Sequence, residues 1–170
     1  MSNTFVTSDT HWGHVGVTKF LGADGITKLR PWDNTEEMDE AMIENWNKVV
    51  RPQDKVYHLG DVVINRKALK TLARLNGDKV LIKGNHDIFR LNEYTEYFRD
   101  VRACQVFDGF IMSHIPIHLD SLSRWKGNIH GHYHANRVMY CKETYKTDVY
   151  GVDYTSYSHE IDPRYLCVCV

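Results

Sequence analysis

The chain has 170 residues, with 21 Lys plus Arg against 22 Asp plus Glu for a formal charge of −1, and ten of its residues are His. A single domain over residues 1–170 is expected, because domains commonly run to about 100–150 residues and a chain near that size buries about two-thirds of its unfolded surface. The near-neutral balance excludes nucleic-acid binding by bulk electrostatics, which needs a basic excess to displace counterions, and 42% hydrophobic residues exclude disorder.

The opening residues, Met1-Ser2-Asn3-Thr4-Phe5, lack the basic start and apolar run of a signal peptide, and no stretch of about 18 apolar residues occurs. A soluble, cytoplasmic protein with no membrane association is expected. The four cysteines, Cys104, Cys141, Cys167 and Cys169, form no Cys-x-x-Cys pair, which disfavours a zinc ribbon and a disulfide framework. On a strand, Cys167 and Cys169 would share one face as small buried side chains; a soft-metal or redox pair is the minor alternative.

In chain order, residues 4–8 predict a short strand, followed by Asp9 at a turn, a brief helix over 15–21 and a polar loop over 22–33. The strongest helix signal comes next. Asn34 stands at the cap, Glu37 three residues later, and Met38, Met42, Trp46, Val49 and Val50 along one face, until Arg51-Pro52 stops it. Residues 55–59 read as a strand ending at Gly60-Asp61, 65–75 as a helix closed near Gly77, and 79–83 as a strand ending at Gly84-Asn85-His86-Asp87. Strand–helix–strand spacing of this kind implies a parallel layer. A helix over 91–99 then precedes β-like runs at 101–107, 110–113, 128–131, 137–141, 146–150 and 165–169. The expected class is α/β, with two stacked sheets and helices outside.

Residues able to bind metal fall repeatedly just after these β runs: Asp9, His11, Asp61, Asn85, His86, His114, His132 and His134. In open α/β sheets, sites gather outside the carboxyl ends of strands, so residues far apart in sequence can converge there. Imidazole nitrogen mixed with carboxylate and amide oxygen, without thiolate, suits Mn2+, Fe2+, Ni2+, Co2+ or Zn2+. A tetrahedral zinc needs only four such groups, whereas two ions about 3.5–4 Å apart that share one carboxylate use about seven.

The succession Asp9-Thr10-His11, Gly60-Asp61, Gly84-Asn85-His86-Asp87, Ser113-His114 and Gly131-His132-Tyr133-His134 resembles the calcineurin-like metallophosphoesterase superfamily in order and spacing. The opening Asp9-Thr10-His11-Trp12-Gly13-His14 is similar to the small stand-alone phosphoesterases of bacteria and phages, which places the expected setting in a bacterial or host cytoplasm. Each motif alone is weak, but five in order from Asp9 to His134, each behind a strand signal, are specific. The resemblance implies a four-layer αββα sandwich, two mixed β-sheets flanked by helices. It implies one metal on Asp9, His11, Asp61 and His134 and a second on Asp61, Asn85, His114 and His132, with Asp61 bridging. His132 and His134, two apart, would send both rings to one side. The implied cofactors are two divalent ions, Mn2+ first, with Fe, Ni, Co or Zn as alternatives. The implied chemistry is in-line attack by a bridging hydroxide, with His86 as general acid and Asp87 orienting it.

The other notable residues each carry two readings. His14 either contacts a substrate phosphate or caps the following helix; His58 reads as a buried supporting residue, and His118 and His130 as partners of the site. Trp12 and Trp125 either line a base pocket or pack in the core, and Arg66, Lys67, Lys70 and Arg74 either meet an extended polyanion or form a solvated face. Val62-Val63-Ile64-Asn65 after Gly60-Asp61, and Asp87 after Asn85-His86, depart from the phosphoprotein phosphatase branch. The chain has no room for the capping domain of double-strand-break nucleases. The expected function is hydrolysis of a small, nucleotide-derived phosphodiester or phosphomonoester, such as a cyclic nucleotide, by a monomer or homodimer. A nuclease on short single-stranded RNA or DNA ends and a non-catalytic protein-binding scaffold are the alternatives.

Overall fold

A computed structural model describes residues 1–22 and 24–170; residue 23, inside the loop expected over 22–33, lies outside the described residues. The first sheet holds β1 (Thr4–Thr7), β2 (Lys55–His58), β3 (Asp78–Ile82) and β4 (Asp100–Arg102) side by side, every pair parallel. The second is built from β5 (Cys104–Phe107), β6 (Phe110–Ser113), β7 (Asn128–His130) and, after a hairpin of β8 (Met139–Thr147) and β9 (Asp153–Ile161), β10 (Tyr165–Cys167). Its order is β10-β7-β6-β5, with β5 antiparallel to β6 and the other pairs parallel. The expected α/β class with two sheets stands. The second sheet is mixed as expected, whereas the first is wholly parallel because each of its connections is a helical crossover.

Those crossovers are α1 (Thr35–Val49), a 3₁₀ segment Arg66–Arg74, and α2 (Leu91–Thr95). Asn34 caps α1 by accepting the Glu37 N–H at 2.8 Å, and Met38 and Ile43 are buried. Val49, expected on the same face, is instead exposed and borders an apolar recess with Phe5 and Trp46. The helix expected over 91–99 stops at Thr95, where the Tyr97 N–H returns to the Tyr94 carbonyl in a tighter three-residue closure. Between β6 and β7 the described residues form a single 3₁₀ turn, Leu119–Leu122, so helical cover is thinner on that half than the expected sandwich.

Strand β3 shows how the layers are held. Leu81 packs with Trp12, Ile43, Leu69 and Leu72 on the helix side, while Val80 and Ile82 pack with Tyr57, Leu59 and Met112 on the other. A parallel strand covered on both faces reads as an unbroken apolar run, as Val80-Leu81-Ile82 does.

Two expectations are corrected. The run at 101–107 is two strands in different sheets, because the chain bends at Ala103 and crosses from the first sheet to the second. The runs at 137–141 and 146–150 overlap the two ends of one nine-residue strand, β8, with residues 148–150 in the turn that leads to its partner β9, which had no apolar signal. That hairpin is exposed on both faces, so Tyr and Thr β-propensity and cross-strand pairs such as Lys142–Glu160 at 2.9 Å support it in place of apolar alternation.

The C-terminal segment joins the sheets. After β10 pairs with β7, the Val168 N–H bonds the His130 carbonyl at 2.9 Å, Cys169 bridges Ser8, and the Val170 N–H bonds the Ser8 carbonyl at 3.2 Å. Among the described residues no helix is long and apolar enough to cross a membrane. Leu81→Ala should cost about 2–5 kcal/mol, the usual range for emptying a buried Leu site. Urea unfolding will show this as a lower midpoint at unchanged slope.

Candidate metal centre

At the carboxyl ends of the strands the backbone turns left-handed. Asp9 (φ 57°) and His11 (φ 49°) follow β1, Asp61 (φ 54°) follows β2, and His132 (φ 69°) and His134 (φ 49°) follow β7. One further non-glycine among the described residues, Asp108, shares this conformation, in the tight Asp108-Gly109 turn. Such backbone costs about 1–3 kcal/mol per residue and persists where the surroundings over-determine it. Here five of the seven expected ligands carry it.

The restraints are visible. The N–H groups of Asp9, His11 and Trp12 bond the carbonyls of Gly60, Asp61 and Val62 at 2.9, 3.1 and 2.9 Å, tying the first loop to the second. Asp87 is buried and accepts the N–H groups of Asp61, Val62 and Gly84 at 2.9, 2.9 and 2.8 Å. Both its oxygens are thereby occupied, and no described hydrogen bond joins it to the His86 ring. The expectation that Asp87 orients His86 is corrected: Asp87 clamps the loop that presents Asp61. Gly84 and Gly131 are required by close approach, because a Cβ on Gly84 would collide with Asp61 Oδ1 and one on Gly131 with Ser8 Oγ and Asp9 Oδ2.

The expected ligands converge. Donor atoms of Asp9, His11 and Asp61 lie within 4.8 Å of one another, as do those of Asp61, His114 and His132, so Asp61 belongs to both groups. His11 Nε2 lies 3.8 Å from Asp9 Oδ1 and 4.0 Å from Asp61 Oδ2. His134 Nε2 is 3.5 Å from Asp9 Oδ1, and its ring stacks on that of His11. His114 Nε2 stands 2.8 Å from Asn85 Oδ1 and 3.4 Å from Asp61 Oδ2. Strand alternation does not place His132 and His134: β7 ends at His130, and the left-handed bends that follow send the two rings to different groups.

Orphaned atoms test whether a cation fits. Among the described residues Asp9 Oδ1 and both ring nitrogens of His11 are buried with no hydrogen-bond partner, a costly arrangement for protein alone and the right one for metal ligands. The His114 ring donates Nδ1–H to the Leu59 carbonyl at 2.7 Å, which turns Nε2 toward Asp61 and Asn85, a common orienting bond for a metal-binding imidazole. The donor set fits divalent metal.

Protonation agrees. Burial opposes the charge on Asp61, but hydrogen bonds from His114 and the His86 N–H outweigh it and hold its pKa down at about 2. Asp9 is also lowered, burial again being outweighed by hydrogen bonds that include the His132 N–H. Burial keeps His11 neutral, with a pKa lowered to about 4, and lowers His134. His114 is raised: burial disfavours its charge, yet the hydrogen bond and charge of Asp61 outweigh it.

The floor of the cleft is buried and its rim is open. Asp9, His11, Asp61 and His114 are inaccessible, His132 and His134 partly exposed, and Asn85 and His86 exposed. His86 bonds Asp61 Oδ1 through its N–H at 2.8 Å while its Nε2 stands 4.0 Å from Asp61 Oδ2.

Several open readings now close. His14 caps its 3₁₀ turn by accepting the Gly16 N–H at 2.8 Å. His58 is buried support, accepting the Gly60 N–H at Nδ1 and bonding Thr10 Oγ1 at Nε2. His130 is likewise buried, donating to the Gly131 carbonyl. Trp12 is core, Trp125 lies with Leu122 and Arg164 away from the ligands, and Arg66 and Arg74 pair with Glu93 and Glu40. His118 caps an exposed 3₁₀ turn, and His159 sits on the β9 hairpin, remote in sequence from any ligand. Two residues escaped sequence reasoning. Arg30, buried, donates to the Asp9 carbonyl at 2.7 Å from a loop with no motif. Cys169 Sγ lies 3.1 Å from Asp9 Oδ2; the sequence offered it as a buried strand residue, with a soft-metal or redox pair with Cys167 as the minor alternative, and gave no sign of its approach to Asp9.

A family model described as calcineurin-like phosphoesterase matches residues 3–163. The chain belongs to the calcineurin-like phosphoesterase family. It is 37% identical over 146 residues to the uncharacterized protein MJ1445 of Methanocaldococcus jannaschii, covering 81% of this chain and 73% of that protein. It is also 37% identical over 92 residues to the Gene 66 protein of Mycobacterium phage L5, covering 51% of this chain and 41% of that one. The crystal structure of AQ665 from Aquifex aeolicus, a protein of unknown function, superposes with a TM-score of 0.59 at 26% identity, covering 81% of this chain and 82% of that one. As a calcineurin-like phosphoesterase the chain is a metal-dependent hydrolase of phosphoric esters, and the buried Asp and His groups fit that use.

Gly131→Ala should force Ser8 and Asp9 aside, with an overpacking cost of about 1–3 kcal/mol, and lower metal affinity in a calorimetric titration. A pH effect follows from His58, whose pKa burial lowers to about 3. The unfolded chain takes up that proton below about 6.5 while the folded one resists it. Metal-free protein should therefore lose stability as pH falls from about 6.5 toward 3, and His58→Gln should flatten that part of the denaturation profile.

Proposed function

We propose that the enzyme is a dinuclear phosphoesterase acting on a small, nucleotide-derived phosphodiester or phosphomonoester, a cyclic nucleotide being the type case. The observation that carries it is the sharing of Asp61 between two groups of donors, the first of which holds buried Asp9 Oδ1 and His11 ring nitrogens with no hydrogen-bond partner among the described residues. On this reading Asp9, His11, Asp61 and His134 hold one ion and Asp61, Asn85, His114 and His132 the other. The oxygens of Asp61 and Asn85 suit Mn2+ on the second side. Bound divalent cations supply the positive charge that polarises the phosphoryl group and acidifies the attacking water.

The chain's own residues do the rest. Asp61 would be the carboxylate shared by the two groups, and its Oδ1 holds the His86 N–H and so fixes the base of that side chain. His86, exposed at the rim, holds a proton at Nε2 above the ligand floor, where it meets the leaving oxygen of a substrate bound from solvent. Backbone clamping by Asp87 keeps both in place. The ion pairs of Arg66 with Glu93 and Arg74 with Glu40 offset two of the four basic side chains on the Arg66–Arg74 segment and weaken it as a track for a longer polyanion, which supports a small substrate over an oligonucleotide.

Asp61→Asn should remove the bridge and abolish Mn2+-dependent hydrolysis in a panel of 2′,3′- and 3′,5′-cyclic nucleotides, aryl esters and short oligonucleotides; full activity in this variant overturns the two-ion reading. His86→Ala should lower kcat by about 10²–10⁴-fold, the usual contribution of a general acid, while calorimetry still counts two metal equivalents. An oligonucleotide outrunning every cyclic nucleotide in that panel would favour the nuclease alternative.

A further inference from the structure

We propose that Cys169 is a sulfur ligand of the ion held by Asp9, so that this ion sits in a nitrogen, oxygen and sulfur shell while its neighbour keeps oxygen and nitrogen alone. The proposal rests on the metal-centre reading above and adds to it a donor that the family motifs do not contain.

Three observations converge. Donor atoms of Asp9, His134 and Cys169 lie within 4.8 Å of one another, with Cys169 Sγ 3.1 Å from Asp9 Oδ2 and accepting the His134 N–H at 3.3 Å. In the same place, buried Asp9 Oδ1 and His11 Nε2 have no hydrogen-bond partner. The position of the thiol is fixed by the fold: Cys169 bridges Ser8, the residue before Asp9, as the C-terminal segment passes from the second sheet to the first. Cys167 Sγ lies 3.4 Å from Cys169 Sγ and, among the described residues, falls in none of the groups of converging donor atoms.

The chemistry differs from that of an all-oxygen and nitrogen site. A thiolate is soft and selects Zn2+, Co2+ or Fe2+ over Mn2+, whereas the Asp61 and Asn85 oxygens of the second group keep its preference hard. On coordination the S–H bond breaks, the sulfur–metal bond forms with the sulfur lone pair, and the proton that Cys169 directs at Asp9 Oδ2 passes to solvent. No electron transfer is involved. The two halves of the centre would thus take different metals.

Cobalt substitution reads this directly. Full-length metal-free protein titrated with Co2+ should show visible d–d bands together with a near-ultraviolet sulfur-to-cobalt charge-transfer band. In Cys169→Ser the charge-transfer band should vanish while d–d bands remain, and Co2+ affinity should fall by at least the roughly 10–100-fold that losing an outer-shell partner costs. Cys167→Ser should keep the band. Because the d–d bands report bound cobalt in each variant, a folding failure is not mistaken for a lost ligand. Cobalt bound in the native protein with no charge-transfer band, or a band that survives Cys169→Ser, overturns the sulfur ligand and leaves the metal centre standing. Absence of any d–d band overturns the metal centre itself.

Discussion

Two buried carboxylates held close together are the constraint on which this structure depends. Asp9 and Asp61 both fall within one group of donors less than 4.8 Å across, both inaccessible and both ionised. At that separation, and at an effective dielectric constant of about 20, two like charges repel by roughly 3 kcal/mol. The protein answers with neutral donors and with His114, whose pKa the neighbouring Asp61 raises against the effect of burial. Divalent cations would remove the rest of the conflict, so the arrangement that burdens the protein alone is what suits it to metal.

That burden explains where the chain is strained. Left-handed backbone at Asp9, His11, Asp61, His132 and His134 lets short loops turn five side chains inward within a few residues of their strands. Helix or strand geometry could not do this, because each fixes the direction of successive side chains. The compensation is local and main-chain: Asp87 gathers three N–H groups, the first loop zips onto the second, and glycine stands wherever a Cβ would strike a carboxylate. The scaffold beneath is rigid and apolar, with β3 covered on both faces.

How much of this could be read from the sequence follows from the range of each interaction. The first sheet and its crossovers were legible because caps, apolar periodicity and strand-ending Gly-Asp or Gly-Asn pairs act over a few residues. All seven expected ligands converge because each stands just past a strand, a position that sequence reports well. The β8–β9 hairpin was not legible, since its residues are held by cross-strand pairs and face solvent on both sides. The split of the 101–107 run was hidden for a related reason: a bend between sheets leaves the local pattern unchanged. Asp87 was misread because its neighbour in sequence, His86, is not its neighbour in hydrogen bonding. Cys169 and Arg30 approach Asp9 through a C-terminal crossing and a motif-free loop, contacts that have no short-range signature.

The charge of the whole chain takes its meaning from this distribution. Two of the four basic side chains on the Arg66–Arg74 segment are matched by acidic ones, Arg74 with Glu40 and Arg66 with Glu93, which reduces the field that segment offers to a long polyanion. At the cleft floor Asp9 and Asp61 place buried negative charge, which bound divalent metal would offset and, on the proposed two-ion reading, reverse. Attraction for phosphate is then confined to a few ångströms around the centre, and a substrate is selected by what reaches that floor past His86 and Asn85 at the rim. On the proposed reading a small ester would meet this geometry with its phosphate alone, whereas a duplex would have to bring its backbone into a cleft whose deepest candidate ligands are buried.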